Sequence, residues 1–195
     1  MARLLRWIVL LLAWTVVRAQ QEPVLVRVGE VWQFYKAATE PVGEPLAWTR
    51  SGYSVGPDWL SGRTGIGTYI GGRDAENVLL FDRNYNYVAV CFRKEFRVES
   101  PASVRRLALR LDYQEGFVAY LNGTEILRVG LAGQVGQAVP VTSLAATRFA
   151  IRPVEFLLNP EVAGLLKEGT NTLAIQMHTD RVGPGFPASP TSGDL

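Results

Sequence analysis

Between Gly116 and Leu127 the chain reads Gly-Phe-Val-Ala-Tyr-Leu-Asn-Gly-Thr-Glu-Ile-Leu. Two β-prone segments meet at Asn122-Gly123. A two-residue connection between twisted strands needs positive φ at both positions, which Asn and Gly tolerate best. A type I′ hairpin accounts for every residue of the stretch. Asn122-Gly123-Thr124 also spells a glycosylation acceptor, but the turn explains each of its residues. The two faces of the hairpin are mixed in character, so the pattern leaves open which side is core.

The same two-residue period recurs along the chain. From Val104 to Tyr113, Leu107, Leu109 and Leu111 point one way and Arg106, Arg110 and Asp112 the other, as in a half-buried strand. Tyr87 to Val98 places Val88, Val90, Phe92, Phe96 and Val98 on one face. Thr172 to Thr179 puts Leu173, Ile175 and Met177 opposite a more polar side of Ala174, Gln176 and His178. Val31 to Ala38, with Trp32, Phe34 and Tyr35, is an opening strand. Residues 39–77, rich in Gly and Pro, are expected to make a long surface excursion. One short helix is expected at Pro160 to Lys167, capped by Asn159, started by Pro160 and stopped by Gly169. Strands joined by irregular connections indicate an all-β protein, an antiparallel β-sandwich with one short helix.

Residues 1–19 read as a secretory signal peptide: Arg3 and Arg6, then an apolar run from Trp7 to Val17, then Val17-Arg18-Ala19 as a cleavage site. The run is too short to span a bilayer, which takes roughly 20 residues. The expected organisation is a signal peptide over 1–19, a linker over 20–30 and a domain over 31–195, in a secreted or periplasmic protein with no membrane association after cleavage. The formal charge of +2 comes from 20 basic and 18 acidic side chains. Without the three arginines of the leader the balance is 17 against 18, which argues against nucleic acid as a partner. The chain has a single cysteine, Cys91, so no intrachain disulfide can form; in its strand-like run it reads as a small core hydrophobe.

The order of several short motifs carries a resemblance. Trp32-Gln33-Phe34-Tyr35-Lys36 is followed by Trp48-Thr49-Arg50, Trp59-Leu60-Ser61-Gly62 and Phe92-Arg93-Lys94-Glu95-Phe96. Then come Tyr113-Gln114-Glu115-Gly116, Tyr120-Leu121-Asn122-Gly123 and Glu168-Gly169-Thr170-Asn171-Thr172-Leu173-Ala174. Over most of residues 31–179 the chain resembles the galactose-binding-domain-like jelly-roll module of exported bacterial proteins, and is similar in plan to the sugar-binding sandwich domain of many glycoside hydrolases. The resemblance implies a jelly roll and a carbohydrate ligand. It departs where Ser54-Val55-Gly56-Pro57-Asp58 replaces adjacent acids, and where Gln114 replaces the first of two acids while Glu115 keeps the second. Ser192-Gly193-Asp194-Leu195 resembles the start of a last edge strand, cut off.

Motifs for catalysis are weak. Gly52-Tyr53-Ser54-Val55-Gly56 matches a nucleophile elbow, with Asp112 and His178 following in hydrolase order, but Gly- and Pro-rich chain surrounds it and no helix follows. Gly65-Ile66-Gly67-Thr68-Tyr69-Ile70-Gly71-Gly72 lacks the spacing and the βαβ setting of a phosphate loop. One His and one Cys are too few for zinc. No cofactor is expected, although loop carboxylates and carbonyls can hold a structural calcium without a regular motif. Trp48 and Trp59 are read first as core, with sugar stacking as the other role. Tyr85 and Tyr113 adjoin turns and are the preferred stacking platforms, with Glu115 and His178 as hydrogen-bonding partners of a carbohydrate. The reading is an exported, non-catalytic module that binds carbohydrate or another cell-surface polymer, accessory to an enzyme. An exported hydrolase of esterase or glycosidase type and a purely structural spacer stand as alternatives.

Overall fold

The computed structural model describes residues 23–67, 78–80, 82, 86–146 and 153–180. The expected signal peptide, Tyr85 and the proposed last strand lie outside them. The protein is mostly β: β1 (Val31–Lys36), β2 (Trp59–Arg63), β3 (Ile66–Gly67), β4 (Val78–Leu79), β5 (Ala89–Val98), β6 (Ala108–Leu111), β7 (Gly116–Leu121), β8 (Thr124–Val129), β9 (Val154–Leu157) and β10 (Gly169–His178). Six strands form one antiparallel sheet in the order β2-β1-β5-β10-β7-β8; β6 pairs antiparallel with β9, and the short β3 pairs parallel with β4. Among the described residues no helix is long and apolar enough to cross a membrane.

The first face of the large sheet carries Trp32 and Phe34 of β1, Val90 and Phe92 of β5, Phe117, Ala119 and Leu121 of β7, and Ile175 of β10. Leu109 is buried against this cluster, and Leu107, Leu111, Phe156, Leu173 and Met177 pack on it, so the small β6–β9 sheet covers this face. The alternating leucines of 107–111 and the row Leu173, Ile175, Met177 therefore point inward as their period requires. Burying such aliphatic and aromatic side chains contributes about 1.5–3 kcal/mol each before chain entropy is counted.

The second face is buried as well. Ala89, Cys91, Val118, Tyr120 and Ala174 form a second cluster with Ala37, Trp48, Val139 and Val141. Every residue of β7 is buried, which is why its hairpin showed no polar side. Two irregular segments cover this face, residues 37–58 and residues 130–146. The second is a strap pinned almost entirely by side chains. Arg128 donates to the carbonyls of Ala132 and Gln137, Glu125 accepts from Gly136 N–H, Gln176 donates to Val139 O, and Glu40 accepts from Val141 N–H. The Arg128–Glu125 pair behind it is bidentate, at 2.9 and 2.8 Å, with side chains only 8% and 2% exposed.

Two expectations need correction. The Gly- and Pro-rich stretch 39–77 contains an edge strand, β2, paired along β1 from Val31↔Arg63 to Tyr35↔Trp59, and its first part lies against the sheet. Its composition masks both, because Trp48 and Trp59 supply the apolar anchors between turn residues. The helix begins where expected, with the Asn159 side chain accepting from Glu161 N–H, but it is a 3₁₀ segment ending at Leu165.

The hairpin turn is as predicted, with Asn122 at φ 53° and Gly123 at φ 89°. Asn122 is also the centre of a hydrogen-bond hub. Its Nδ2 donates to Leu165 O (2.9 Å) and to Asn171 Oδ1 (2.8 Å), and its Oδ1 accepts from Thr172 N–H (2.8 Å) and Ser51 Oγ (3.1 Å). Asn171, fully buried, donates to the carbonyls of Lys167 and Gly169 and accepts from Lys167 N–H. The Asn-Gly turn and the Gly-Thr-Asn strand start, far apart in sequence, are thus two halves of one joint.

Candidate functional site

Antiparallel pairing brings one set of strand ends to a common rim. Lys36 at the end of β1 lies opposite Val90, Trp59 at the start of β2 opposite Tyr35, and His178 at the end of β10 between Ala89 and Gly116. Glu115 directly precedes β7 at this rim, and Tyr113 is two residues further back. The sequence-predicted residues within the described chain therefore converge on one end of the sheet, but they do not share a face. Gly116 faces His178 across the strands, and alternation places Glu115 on the other side.

Each of the three is packed. The Tyr113 ring meets Phe117 edge-on at 4.8 Å and Phe156 at 6.0 Å, on the first face. Glu115 is buried and engaged in an interaction of its own. His178 is only 4% exposed beneath the strap, and its Nδ1 lies 2.7 Å from Ser143 O, which fixes the tautomer with the proton on Nδ1. Nε2 is buried with no partner among the described residues. Burial pushes this imidazole below its ordinary pKa, against a smaller upward pull from the Ser143 carbonyl.

The open aromatic surface at the rim is built from other residues. Tyr35, Tyr53 and Trp59, each half-buried, form a contiguous row: Tyr35 and Trp59 have centroids 5.5 Å apart, and Tyr53 meets Trp59 edge-on at 6.1 Å. Trp48, only 3% exposed, backs Trp59 at 6.1 Å and Tyr120 at 6.2 Å. The sequence offered Trp48 and Trp59 the same two roles; the fold gives Trp48 to the core and leaves Trp59 at the surface. Tyr35 Oη bonds Thr39 Oγ1, and Tyr53 Oη donates to Val42 O, so residues 39–42 frame the row. Val42 itself is highly exposed.

Arg93, missed by sequence reasoning, holds this arrangement. It stands on the second face of β5, 2% exposed, with all five N–H donors occupied. Nε donates to Trp48 O (3.3 Å), Nη1 to Gln33 Oε1 (3.1 Å) and Tyr53 O (3.4 Å), and Nη2 to Arg50 O (3.2 Å) and Glu95 Oε1 (3.1 Å). Its guanidinium carbon also sits 5.7 Å from the Tyr53 ring centroid, a cation–π contact. A fork of this geometry ties three carbonyls of the 46–53 segment to the sheet, and so fixes where Tyr53 meets Trp59. The signal was an arginine at a strand position in line with apolar Cys91 and Ala89, two and four residues before it.

On the opposite side of the rim, Lys36 Nζ meets Asp82 Oδ2 at 2.6 Å, and Tyr87 Oη donates to Asp82 Oδ1 at 3.0 Å. The Lys36 bond, aided by Tyr87, holds the Asp82 carboxyl below its ordinary range. Among the described residues no three His, Cys, Asp or Glu side chains are grouped to hold a metal. Ser54 is exposed in irregular chain between a turn and β2, with no helix following it.

No protein-family model and no curated protein matches this chain. Among solved structures it is similar to Ruminococcus gnavus β-glucuronidase (16% identity, TM-score 0.47, covering 77% of this chain and 20% of that one). It is also similar to Bifidobacterium dentium β-glucuronidase in complex with coumarin-3-O-glucuronide (22% identity, TM-score 0.45, 77% and 19%). The chain spans about a fifth of the length of these proteins.

Proposed function

We propose that this protein is an exported, non-catalytic module of the galactose-binding-like jelly-roll class that binds carbohydrate or another cell-surface polymer, accessory to an enzyme. The observation that carries the reading is the Tyr35–Trp59–Tyr53 row, half open to solvent and immobilised from behind by Trp48 and Arg93. Flat rings held rigidly at a surface suit the apolar face of a pyranose, because little side-chain entropy remains to be lost on binding. Tyr85, outside the described residues, stays a candidate platform. The packed positions of Tyr113, Glu115 and His178 favour support of the rim over direct contact. A serine hydrolase reading draws little support from an exposed Ser54 and a His178 sealed against Ser143.

The test is retention of the full chain on a panel of insoluble polysaccharides, together with esterase and glycosidase assays. Wild type should be retained and show no turnover. Trp59→Ala and Tyr35→Leu should lose retention, while Ser54→Ala changes nothing. Hydrolysis abolished by Ser54→Ala would overturn the reading in favour of an enzyme, and a blank panel would favour a structural spacer.

A further inference from the structure

Asn122-Gly123 is the one Asn-Gly pair in the sequence, and the fold demands both members. Asn122 supplies the four side-chain hydrogen bonds of the joint, and its own N–H donates to Thr172 O at 2.9 Å. Gly123 has a φ of 89°, and a Cβ there would lie 2.7 Å from Arg50 Cγ. The turn thus retains a pair that is chemically reactive in any flexible chain, because a residue without Cβ leaves its amide nitrogen free to reach the preceding Asn side chain. The fold treats the two reacting groups differently. Gly123 N–H has no acceptor among the described residues, so the nucleophile is unprotected. The electrophile is pinned. Nδ2, the group that would leave, donates to Leu165 O at 2.9 Å and Asn171 Oδ1 at 2.8 Å, while Oδ1 accepts from Thr172 N–H at 2.8 Å. Ring closure makes Cγ tetrahedral and carries both atoms off these partners.

We infer that Asn122 is a latent deamidation site, gated by its own hydrogen-bond hub and permanent in its effect on the joint. When the hub opens, a base in solvent takes the Gly123 N–H proton and the nitrogen bonds Cγ. The Cγ–Nδ2 bond breaks, and Nδ2 takes up a proton from solvent and leaves as ammonia. The succinimide then adds one water. Cleavage of the new N–Cγ bond gives aspartate; cleavage of the original peptide bond gives isoaspartate, with the chain running through Cγ. One water is consumed and one ammonia released. Neither product rebuilds the joint. An ionised aspartate has only acceptors to set against Leu165 O and Asn171 Oδ1. Isoaspartate lengthens the turn by a methylene carbon, so the Leu121↔Thr124 pairing loses its two-residue connection. Ser51 bonds the same side chain and Arg50 lies over Gly123, so the segment leading to Tyr53 loses its support there too.

Three part-buried bonds must open before the ring closes, and at ordinary hydrogen-bond strength that leaves the side chain free in about one molecule in a hundred. The experiment incubates the full chain at mildly alkaline pH, folded and in urea above its transition. Conversion at position 122 is followed by peptide mass spectrometry that separates aspartate from isoaspartate. It should run about a hundred-fold slower in the folded chain. Asn171→Ala removes one bond of the hub and should speed folded-state conversion about five-fold. Ser51→Ala removes only the exposed bond and should change it by less than about two-fold. Converted protein, separated by its extra negative charge, should unfold at lower urea than unconverted protein from the same incubation. Folded and unfolded rates within about three-fold of each other would overturn the gating, as would a folded Asn171→Ala that reacts no faster than wild type. If that variant does not fold, the wild-type comparison decides alone. An unfolded chain that fails to convert would overturn the site itself, and an unchanged midpoint in the converted fraction would overturn its effect on the joint.

Discussion

Replacing Asn122 separates turn geometry from hydrogen bonding. Asn122→Gly keeps the positive φ of 53° free of strain but removes the four side-chain bonds to Leu165, Asn171, Thr172 and Ser51. The Ser51 bond is exposed and contributes little; the other three are part-buried, and their loss deprives Thr172 N–H and Leu165 O of this partner and leaves Asn171 Oδ1 with Lys167 N–H alone. At about 1 kcal/mol for each part-buried bond, the variant should lose roughly 2–3 kcal/mol. Asn122→Ala loses the same bonds and adds about 1 kcal/mol for a Cβ at left-handed φ. Gly123→Ala keeps the bonds and should cost roughly 1 kcal/mol or more; its φ is 89°, and the new Cβ would lie 2.7 Å from Arg50 Cγ, which must move aside. Urea unfolding followed by tryptophan fluorescence reads all three, with unchanged slopes showing that the unfolded state is not at issue. If Asn122→Gly lay within about 0.5 kcal/mol of wild type, the hub would be decorative and the reasoning wrong.

Two further outcomes follow from the strap. Arg128→Met leaves Glu125 buried without its counter-ion and should cost about 3–5 kcal/mol, with limited proteolysis cutting first within 130–137, the segment that the pair holds. Because burial lowers the His178 pKa, the folded state binds fewer protons than the unfolded one near the ordinary imidazole value of 6.5. Stability from this group is therefore complete above that value and is lost as pH falls towards the lowered folded value. His178→Gln should flatten the decline in denaturation midpoint between about pH 7 and pH 5; an unchanged decline would refute the assignment.

Much of the sheet was legible because one of its faces obeys a simple period. Leu107, Leu109, Leu111 and Leu173, Ile175, Met177 sit where alternation puts them, and Asn122-Gly123 turns as its composition demands. The second face was harder to read because irregular chain covers it. Gln176, His178 and Arg93 are polar by type, yet each is buried and bonds at least one carbonyl of segments 46–53 or 139–143. Such burial cannot be read from local pattern, since the partner carbonyls belong to residues dozens of positions away. Position near a strand end was legible for Tyr113 and His178, because turns flank the one and the other ends its strand. The aromatic row was not. Trp59 looked like core because its strand is hidden in a Gly- and Pro-rich stretch, and Tyr35 and Tyr53 gain their role only when β1, β2 and the Arg93-held segment come together.

Cys91 sits at the middle of the sheet, between Tyr35 of β1 and Gln176 of β10, with no exposed surface. Burial pushes its thiol pKa well up, so the nucleophilic thiolate is suppressed as well as hidden. With one cysteine in 195 residues, the chain carries its own single-site clock for opening. A thiol reagent can react only when the central strands part or the segments over the second face lift, and in fast-reclosing conditions its rate reports the free energy of that event. A ligand seated on the Tyr35–Trp59 row would slow the clock without touching the sulfur, so occupancy could be read from a fully buried atom.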